Sequence, residues 1–175
     1  MGKVVVIAGT AGTGKSTIGD KLKNHYKAEF IEGDDLHPQS NIDKMANNIP
    51  LTDEDRWGWL EQISLKSSTS SNNNSNAGIA IVSCSALKKK YRDFIRDKSP
   101  QTTFIFVFLY CDYDVLIERT KKRQGHYMKA SMVQSQFDIL ELPKAEEEPQ
   151  DVIINVTHES VDIITKTAIE FIDKQ

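Results

Sequence analysis

Cysteine is scarce in this chain, with only Cys84 and Cys111 among 175 residues. The two form no C-x-x-C pair, and each follows an apolar run. That placement predicts buried free thiols in a reducing compartment, not a disulfide or a metal clip. Long apolar runs are also missing, and nothing approaches the roughly 20 residues that a membrane-spanning helix needs. The N-terminal apolar stretch is short and leads straight into a glycine-rich loop, so it reads as a strand and not as a signal peptide. Nor is there a basic excess: 22 Lys and Arg against 25 Asp and Glu give a net charge of −3 and a pI near 5.8. This balance argues against a nucleic-acid-binding surface. No repeat and no internal boundary divides the chain. The expectation is one cytoplasmic domain over residues 1–175, large enough to bury a core, with neither a nucleic-acid nor a membrane partner.

What is present is concentrated near the N-terminus. Gly9, Thr10, Ala11, Gly12, Thr13, Gly14, Lys15, Ser16 and Thr17 fit the phosphate-loop pattern G-x-x-x-x-G-K-[ST]. The flanks fit as well, because Val4-Val-Val-Ile-Ala8 reads as a buried strand and residues 16–25 as a helix. Glycines let successive backbone N–H groups turn inward around phosphate oxygens, and the helix N-terminus adds partial positive charge. Lys15 is expected to reach the β- and γ-phosphates, and the Ser16 hydroxyl to ligate Mg²⁺. A GTPase switch is disfavoured, since no N-K-x-D motif occurs and no D-x-x-G follows a third strand.

Apolar runs alternate with helix-like segments along the rest of the chain. Strands are predicted at residues 28–32, 79–83, 104–109 and 152–156, and helices at 41–47, 54–65, 87–97, 114–122 and 161–173. Thr52-x-x-Asp55 is a capping-box signal opening one helix, and Ser131-x-x-Gln134 another. Continuous apolar strands separated by helices imply an α/β fold, a parallel sheet covered on both faces. Ligands on such sheets bind beyond the carboxyl ends of the strands, where Asp34, Cys84-Ser85 and Cys111-Asp112 would converge with the phosphate loop. The polar run at 67–76, Ser-Ser-Thr-Ser-Ser-Asn-Asn-Asn-Ser-Asn, is expected to bury nothing and to form a mobile surface loop.

Asp34, directly after the second strand, is the candidate base for deprotonating an attacking hydroxyl; its plain alternative is an Asx-turn residue. His37 could bind a polyhydroxy or carboxylate substrate or simply pack a turn. Lys44 and Arg56 lie on helices where single cations are usually solvated, although the Arg56 fork suits a carboxylate. Lys88, Lys89, Lys90 and Arg92 crowd a helix start, which the helix dipole disfavours unless an anion is near, and a substrate carboxylate or phosphate would supply one. Arg119 and Arg123 stand four apart before Gly125-His126. They read either as a lid closing over the γ-phosphate or as ordinary cations at a helix end.

Taken together, Gly33-Asp-Asp-Leu-His-Pro38, Asn41-Ile-Asp-Lys-Met45, Ile49-Pro-Leu-Thr-Asp-Glu-Asp-Arg56, Cys84-Ser-Ala-Leu-Lys-Lys89, Tyr91-Arg-Asp93 and Gly125-His126 resemble the gluconokinase family. The G-D-x-x-H-P and C-S-A-L-K-x-x-Y-R-D signatures are far more specific than the phosphate loop. The resemblance implies a shikimate-kinase-like P-loop kinase of three α/β/α layers on a five-stranded parallel sheet, usually dimeric. It implies substrate-binding helices over about 36–66 and a lid over about 119–135. The activity it implies is ATP-dependent phosphorylation of D-gluconate at the 6-hydroxyl, with Mg²⁺. Asp34, Lys15 and Arg123 are then catalytic, and Arg119 and Arg123 face the nucleotide. His37, Lys44, Arg56, Ser85, Lys88, Arg92, His126 and Gln136 are candidates for binding gluconate. The run at 67–76 departs from relatives that continue there as helix. A shikimate, nucleotide or other small-metabolite kinase is the neighbouring alternative, and a catalytically silent ATP-binding scaffold the non-enzymatic one.

Overall fold

The strand at Lys3–Ala8 (β1) is buried from Val4 onward, which requires cover on both faces of the sheet. The computed structural model describes residues 2–73, 77–122 and 130–175. Among them the other strands are Glu29–Glu32 (β2), Ile79–Ser83 (β3), Thr103–Tyr110 (β4) and Val152–Asn155 (β5). All pair in parallel in the order β2-β3-β1-β4-β5, with β1 between Ile79–Ser83 on one side and β4 on the other.

The described helices are Lys15–Tyr26 (α1), Gln39–Ala46 (α2), Asp53–Ser71 (α3), Lys89–Lys98 (α4), Tyr113–Lys122 (α5), Ala130–Ile139 (α6) and Val161–Ile172 (α7). Alternation along β1 sorts them into layers. Val5 and Ile7 pack with Ile18 and Leu22 of α1, Leu116 of α5, Val133 of α6 and Ile164 and Ala168 of α7. Val4, Val6 and Ala8 face the other way, against Trp59, Leu60 and Ile63 of α3 and Tyr91 and Ile95 of α4. The predicted α/β sandwich is therefore present, and the five strands fall where the apolar runs placed them. Cys84 and Cys111 are buried free thiols, as expected.

Two local expectations fail. The polar run was expected to bury nothing, yet α3 continues through Ser71, and Ser67, Ser70 and Ser71 are buried. Small hydroxyl side chains make this possible because each is satisfied on the spot. Ser67 Oγ donates to Ile63 O at 2.6 Å, Ser71 Oγ to Ser68 O at 2.8 Å, and Ser70 Oγ to Glu29 Oε2. Gly2, just before β1, leaves room for the end of the helix: a Cβ there would lie 2.0 Å from Ser71 Oγ. Residues 74–76 of the run lie outside the described residues. The second failure is Ser131, read as a cap: Ala130 before it is already helical, so Ser131 sits inside α6. The Thr52-x-x-Asp55 box is formed in full, with Asp55 N–H donating to Thr52 Oγ1 and Thr52 N–H to Asp55 Oδ2.

A buried ionic cluster pins the segment before β5 to the layer of α3 and α4. Arg92 Nε and Nη2 donate to the two oxygens of Glu148 at 2.8 and 2.9 Å, and Arg96 Nη1 adds a third contact at 3.0 Å. Burial alone would raise the Glu148 carboxyl, but the hydrogen bonds and charges of Arg92 and Arg96 outweigh it and hold it at about 2. Such a depressed carboxylate stabilises the fold fully above its ordinary value of 4.5 and loses that contribution as pH falls toward about 2. Glu148→Gln should therefore cost about 3–5 kcal/mol at neutral pH, since it strands a buried guanidinium. Denaturant unfolding should show the gap to wild type closing as the pH drops below that ordinary value; a gap independent of pH would contradict the ionised pair.

Candidate active site

The carboxyl end of β1 runs into a loop that only glycine can turn. Gly9, Gly12 and Gly14 have φ of 137°, 86° and 93°, and a Cβ on Gly9 would lie 2.5 Å from Leu109 O. Gly9 N–H donates to Ser85 O at 3.2 Å, joining the loop to the turn after β3. Lys15 opens α1 and arches back over the loop, its Nζ donating to Gly9 O at 2.9 Å and Thr10 O at 2.8 Å. Thr13 Oγ1 donates to Thr10 O at 3.0 Å. No side chain caps α1, so its first turn presents backbone N–H groups to the crevice. Ser16 and Thr17 line that crevice together with Lys15.

The opposite wall grows from β2. Gly33 begins a single 3₁₀ turn, Gly33–Leu36, pressed so tightly against β3 that a Cβ there would lie 1.9 Å from Ser83 O. Gly33 N–H donates to Ser83 Oγ at 3.1 Å, and Trp59 Nε1 donates to Gly33 O at 2.8 Å. This bracing sets Asp34 facing the phosphate loop, on the rim of the crevice with its side chain 65% exposed. His37 is held beneath it, stacked on Trp59 with ring centroids 4.0 Å apart. Its side chain is 4% exposed, and Nε2 stands 4.0 Å from Asp34 Oδ1. Burial lowers the His37 pKa, Asp34 raises it and Arg56 lowers it, for a net value of about 4. The ring is thus neutral at physiological pH.

Arg56 enters from the first turn of α3 and is buried, at 7% exposure. Its Nη1 donates to Tyr91 Oη at 2.7 Å, and the Tyr91 hydroxyl donates to Asp53 Oδ1 in a short hydrogen bond. Burial and the bond to Asp53 push the Tyr91 phenol up to about 12, so it stays a donor. Lys88 Nζ also binds Asp53, at 3.2 Å, as does Lys90. The hydrogen bonds from Lys90 and Tyr91 hold Asp53 well below the usual carboxylate range. The result is a guanidinium aimed into the crevice and oriented from behind by a charged relay.

Of the residues singled out from sequence, Lys15, Ser16, Asp34, His37, Arg56, Ser85 and Gln136 meet on one crevice. Gln136 also braces the loop, its Oε1 accepting from Ala11 N–H at 2.8 Å. Three of the cations expected to bind gluconate do not line that crevice. Lys44 pairs with Asp55 at 2.8 Å, Lys88 with Asp53, and Arg92 is buried on Glu148 with Nη1 donating to Ala86 O at 2.8 Å. The basic start of α4 needs no ligand anion, because Asp53, Asp93 and Glu148 answer its side chains and Glu141 Oε1 accepts from Lys89 N–H. Arg119 lies behind the phosphate loop, its guanidinium 3.4 Å from Gly12 O and from Val156 O. It lines a second hollow with Gly12, Thr13, Thr17 and Glu159. Arg123, His126 and the helix stop at Gly125 lie outside the described residues, as does part of the expected lid. Trp59, Tyr91, Asp53 and Asn41 were given no role from sequence. Only the capping box at Thr52 hinted that Asp53 and Arg56 share a helical turn.

Cys84 lines the same crevice but is 2% exposed, and burial pushes its thiol up to about 12. Cys111 is raised for the same reason. At pH 8 an alkylating reagent should leave both thiols unmodified in the folded protein and label both in denaturant. Rapid labelling of native Cys84 would show that the turn after β3 opens far more than this packing allows.

With this geometry in place, comparison with known proteins is informative. Residues 5–149 match the AAA domain family. The "Probable gluconokinase" of Saccharomyces cerevisiae is 45% identical over 175 residues, spanning 97% of this chain and 90% of its own length. The thermosensitive gluconokinase of Escherichia coli is 41% identical, covering 93% of this chain and 83% of its own. A crystal structure of a gluconokinase from Sinorhizobium meliloti superposes with a TM-score of 0.82 at 38% identity, covering 99% of this chain and 92% of that one. With likeness of this degree over nearly its whole length, and a phosphate loop facing an acidic and a basic side chain across one crevice, the chain belongs to the gluconokinase family.

Proposed function

We propose that this protein transfers the γ-phosphoryl group of ATP to the 6-hydroxyl of D-gluconate, giving 6-phospho-D-gluconate and ADP and feeding the pentose phosphate pathway. The observation that carries the reading is the meeting of a phosphate cradle, a rim carboxylate and a buried guanidinium on one crevice. The cradle faces Asp34, so an acceptor hydroxyl lying between them is in line for attack while Asp34 takes its proton. Arg56, backed by Tyr91 and Asp53, suits the sugar-acid carboxylate, and neutral His37 suits a hydroxyl. Lys15 already lies across the loop where phosphate oxygens would sit, and Arg119 adds positive charge from behind that loop, against Gly12 O. Arg123 would add a further charge from a lid over about 119–135. Ser16, on the first turn of α1 beside Lys15, fits a Mg²⁺ ligand, since this ion takes few protein ligands and keeps phosphate and water oxygens for the rest. A magnesium ion held through the Ser16 hydroxyl would supply positive charge against the charge that develops on the transferring phosphoryl group.

The hollow lined by Arg119, Val156 and Glu159 adjoins the phosphate loop and suits the adenine end of the nucleotide. Lys44, Lys88 and Arg92 act in this reading through the carboxylates they hold and not by touching gluconate. The helices over 36–66 carry the acceptor side of a single domain spanning 1–175. The enzyme works as a cytoplasmic homodimer in this reading, as the resemblance to gluconokinases implies; sedimentation of the purified protein would test the dimer.

A coupled ADP-release assay across gluconate, shikimate, other sugar acids and nucleoside monophosphates tests the assignment; turnover with a nucleotide and none with gluconate would overturn it. Asp34→Asn should lower turnover by about 10²–10⁴-fold, the usual worth of a positioned base, with ATP affinity retained. Arg56→Ala should raise the gluconate KM by about 10–100-fold, as expected for a lost charged hydrogen bond, and Tyr91→Phe should do the same to a smaller degree. An effect of either confined to ATP would contradict the carboxylate role.

A further inference from the structure

The wall of the crevice contains one hydrogen-bond chain whose direction is forced. Asn41 is 2% exposed, and its Nδ2 lies 2.8 Å from Asp55 O and 3.1 Å from His37 Nδ1. A backbone carbonyl can only accept, so the amide end facing Asp55 O is the NH₂ group. An amide NH₂ offers no lone pair, so His37 Nδ1 accepts as well. The imidazole proton therefore sits on Nε2. Stacking on Trp59 fixes the plane of the ring and keeps Nε2–H directed at the side of the crevice that carries Asp34.

The 4.0 Å between His37 Nε2 and Asp34 Oδ1 is too long for a hydrogen bond. One oxygen atom can nevertheless stand about 2.8 Å from both. That oxygen must accept from the ring and donate to the carboxylate, a combination an alcohol satisfies and a carbonyl or carboxylate does not. We propose that Asn41 is a positioning residue for the phosphoryl acceptor: by holding His37 as the Nε2–H tautomer it makes His37 and Asp34 a donor–acceptor pair that selects a hydroxyl at this point of the substrate. This rests on the kinase reading above. It gives His37 no role as a base, since its proton-accepting nitrogen is occupied by Asn41, and it leaves that task to Asp34. Neutrality of the buried ring at physiological pH agrees with this assignment.

Long-range ¹H–¹⁵N correlation on protein labelled at histidine tests it, with the His37 signals identified by their loss in His37→Gln. Wild type at neutral pH should give a pyridine-like Nδ1 and a pyrrole-like Nε2, and added gluconate should shift Nε2 most. The opposite tautomer, an imidazolium, or an Nε2 unmoved by gluconate would each overturn the proposal. Asn41→Asp, which can only accept, should move the proton to Nδ1 and raise the gluconate KM by about tenfold or more, the worth of one hydrogen bond in a dry site, with the ATP KM little changed. Should that variant not fold, Asn41→Leu should give mixed tautomers and a smaller rise in the same KM. An unchanged gluconate KM in a folded variant whose tautomer has moved would sink the positioning role. The spectrum needs no turnover, so inactivity toward every sugar acid would refute the kinase reading while the tautomer result stood.

Discussion

The parallel pairing of β1 between β3 and β4 is the constraint from which the rest of the molecule follows. It sends every strand end to one edge of the sheet, so the phosphate loop, the turn after β2 and the turn after β3 have to meet there. Direct contacts then lock them together. Gly9 N–H reaches Ser85 O, and Gly33 lies on the backbone of Ser83 with no room for a side chain. These contacts tie the site walls to the sheet, which suits chemistry that depends on placing a hydroxyl against a phosphorus atom.

Charge is the second organising influence. The region around α2, α3 and α4 is rich in cations, yet most are neutralised by partners within the fold. Asp53 gathers Lys88 and Lys90, Asp55 holds Lys44, and Glu148 holds Arg92 and Arg96. Arg56 differs in kind, because its described hydrogen bond is to a neutral phenol and not to a carboxylate. Its charge therefore remains available to the crevice, while Tyr91 and Asp53 set its direction. Carboxylates one step removed thus decide which cation can meet an anionic substrate.

Much of this was legible in the sequence. The five strands were visible because a strand buried on both faces has to be apolar throughout. The phosphate loop was visible because its backbone geometry leaves little choice but glycine. Asp34 and His37 were legible by position, lying just past a strand end. Other features were not. The serines at the end of α3 look like a solvated loop in any compositional reading, and only contact with β2 and the N-terminal segment reveals that they pack. Lys44, Lys88 and Arg92 read as substrate ligands because a sequence lists charges without their partners.

The sequence by itself determined the fold class, the glycine-rich loop after β1 and the family, since each depends on residue types at fixed local spacing. Only the tertiary structure decided which side chains share the crevice and in what state. Asp53 and Tyr91 are 38 residues apart along the chain, and Asn41 and Asp55 are 14 apart. The aim of Arg56 and the proton on His37 depend on those meetings. They are consequences of distance and hydrogen-bond direction, which exist only once α2, α3 and α4 are packed against one another and the sheet.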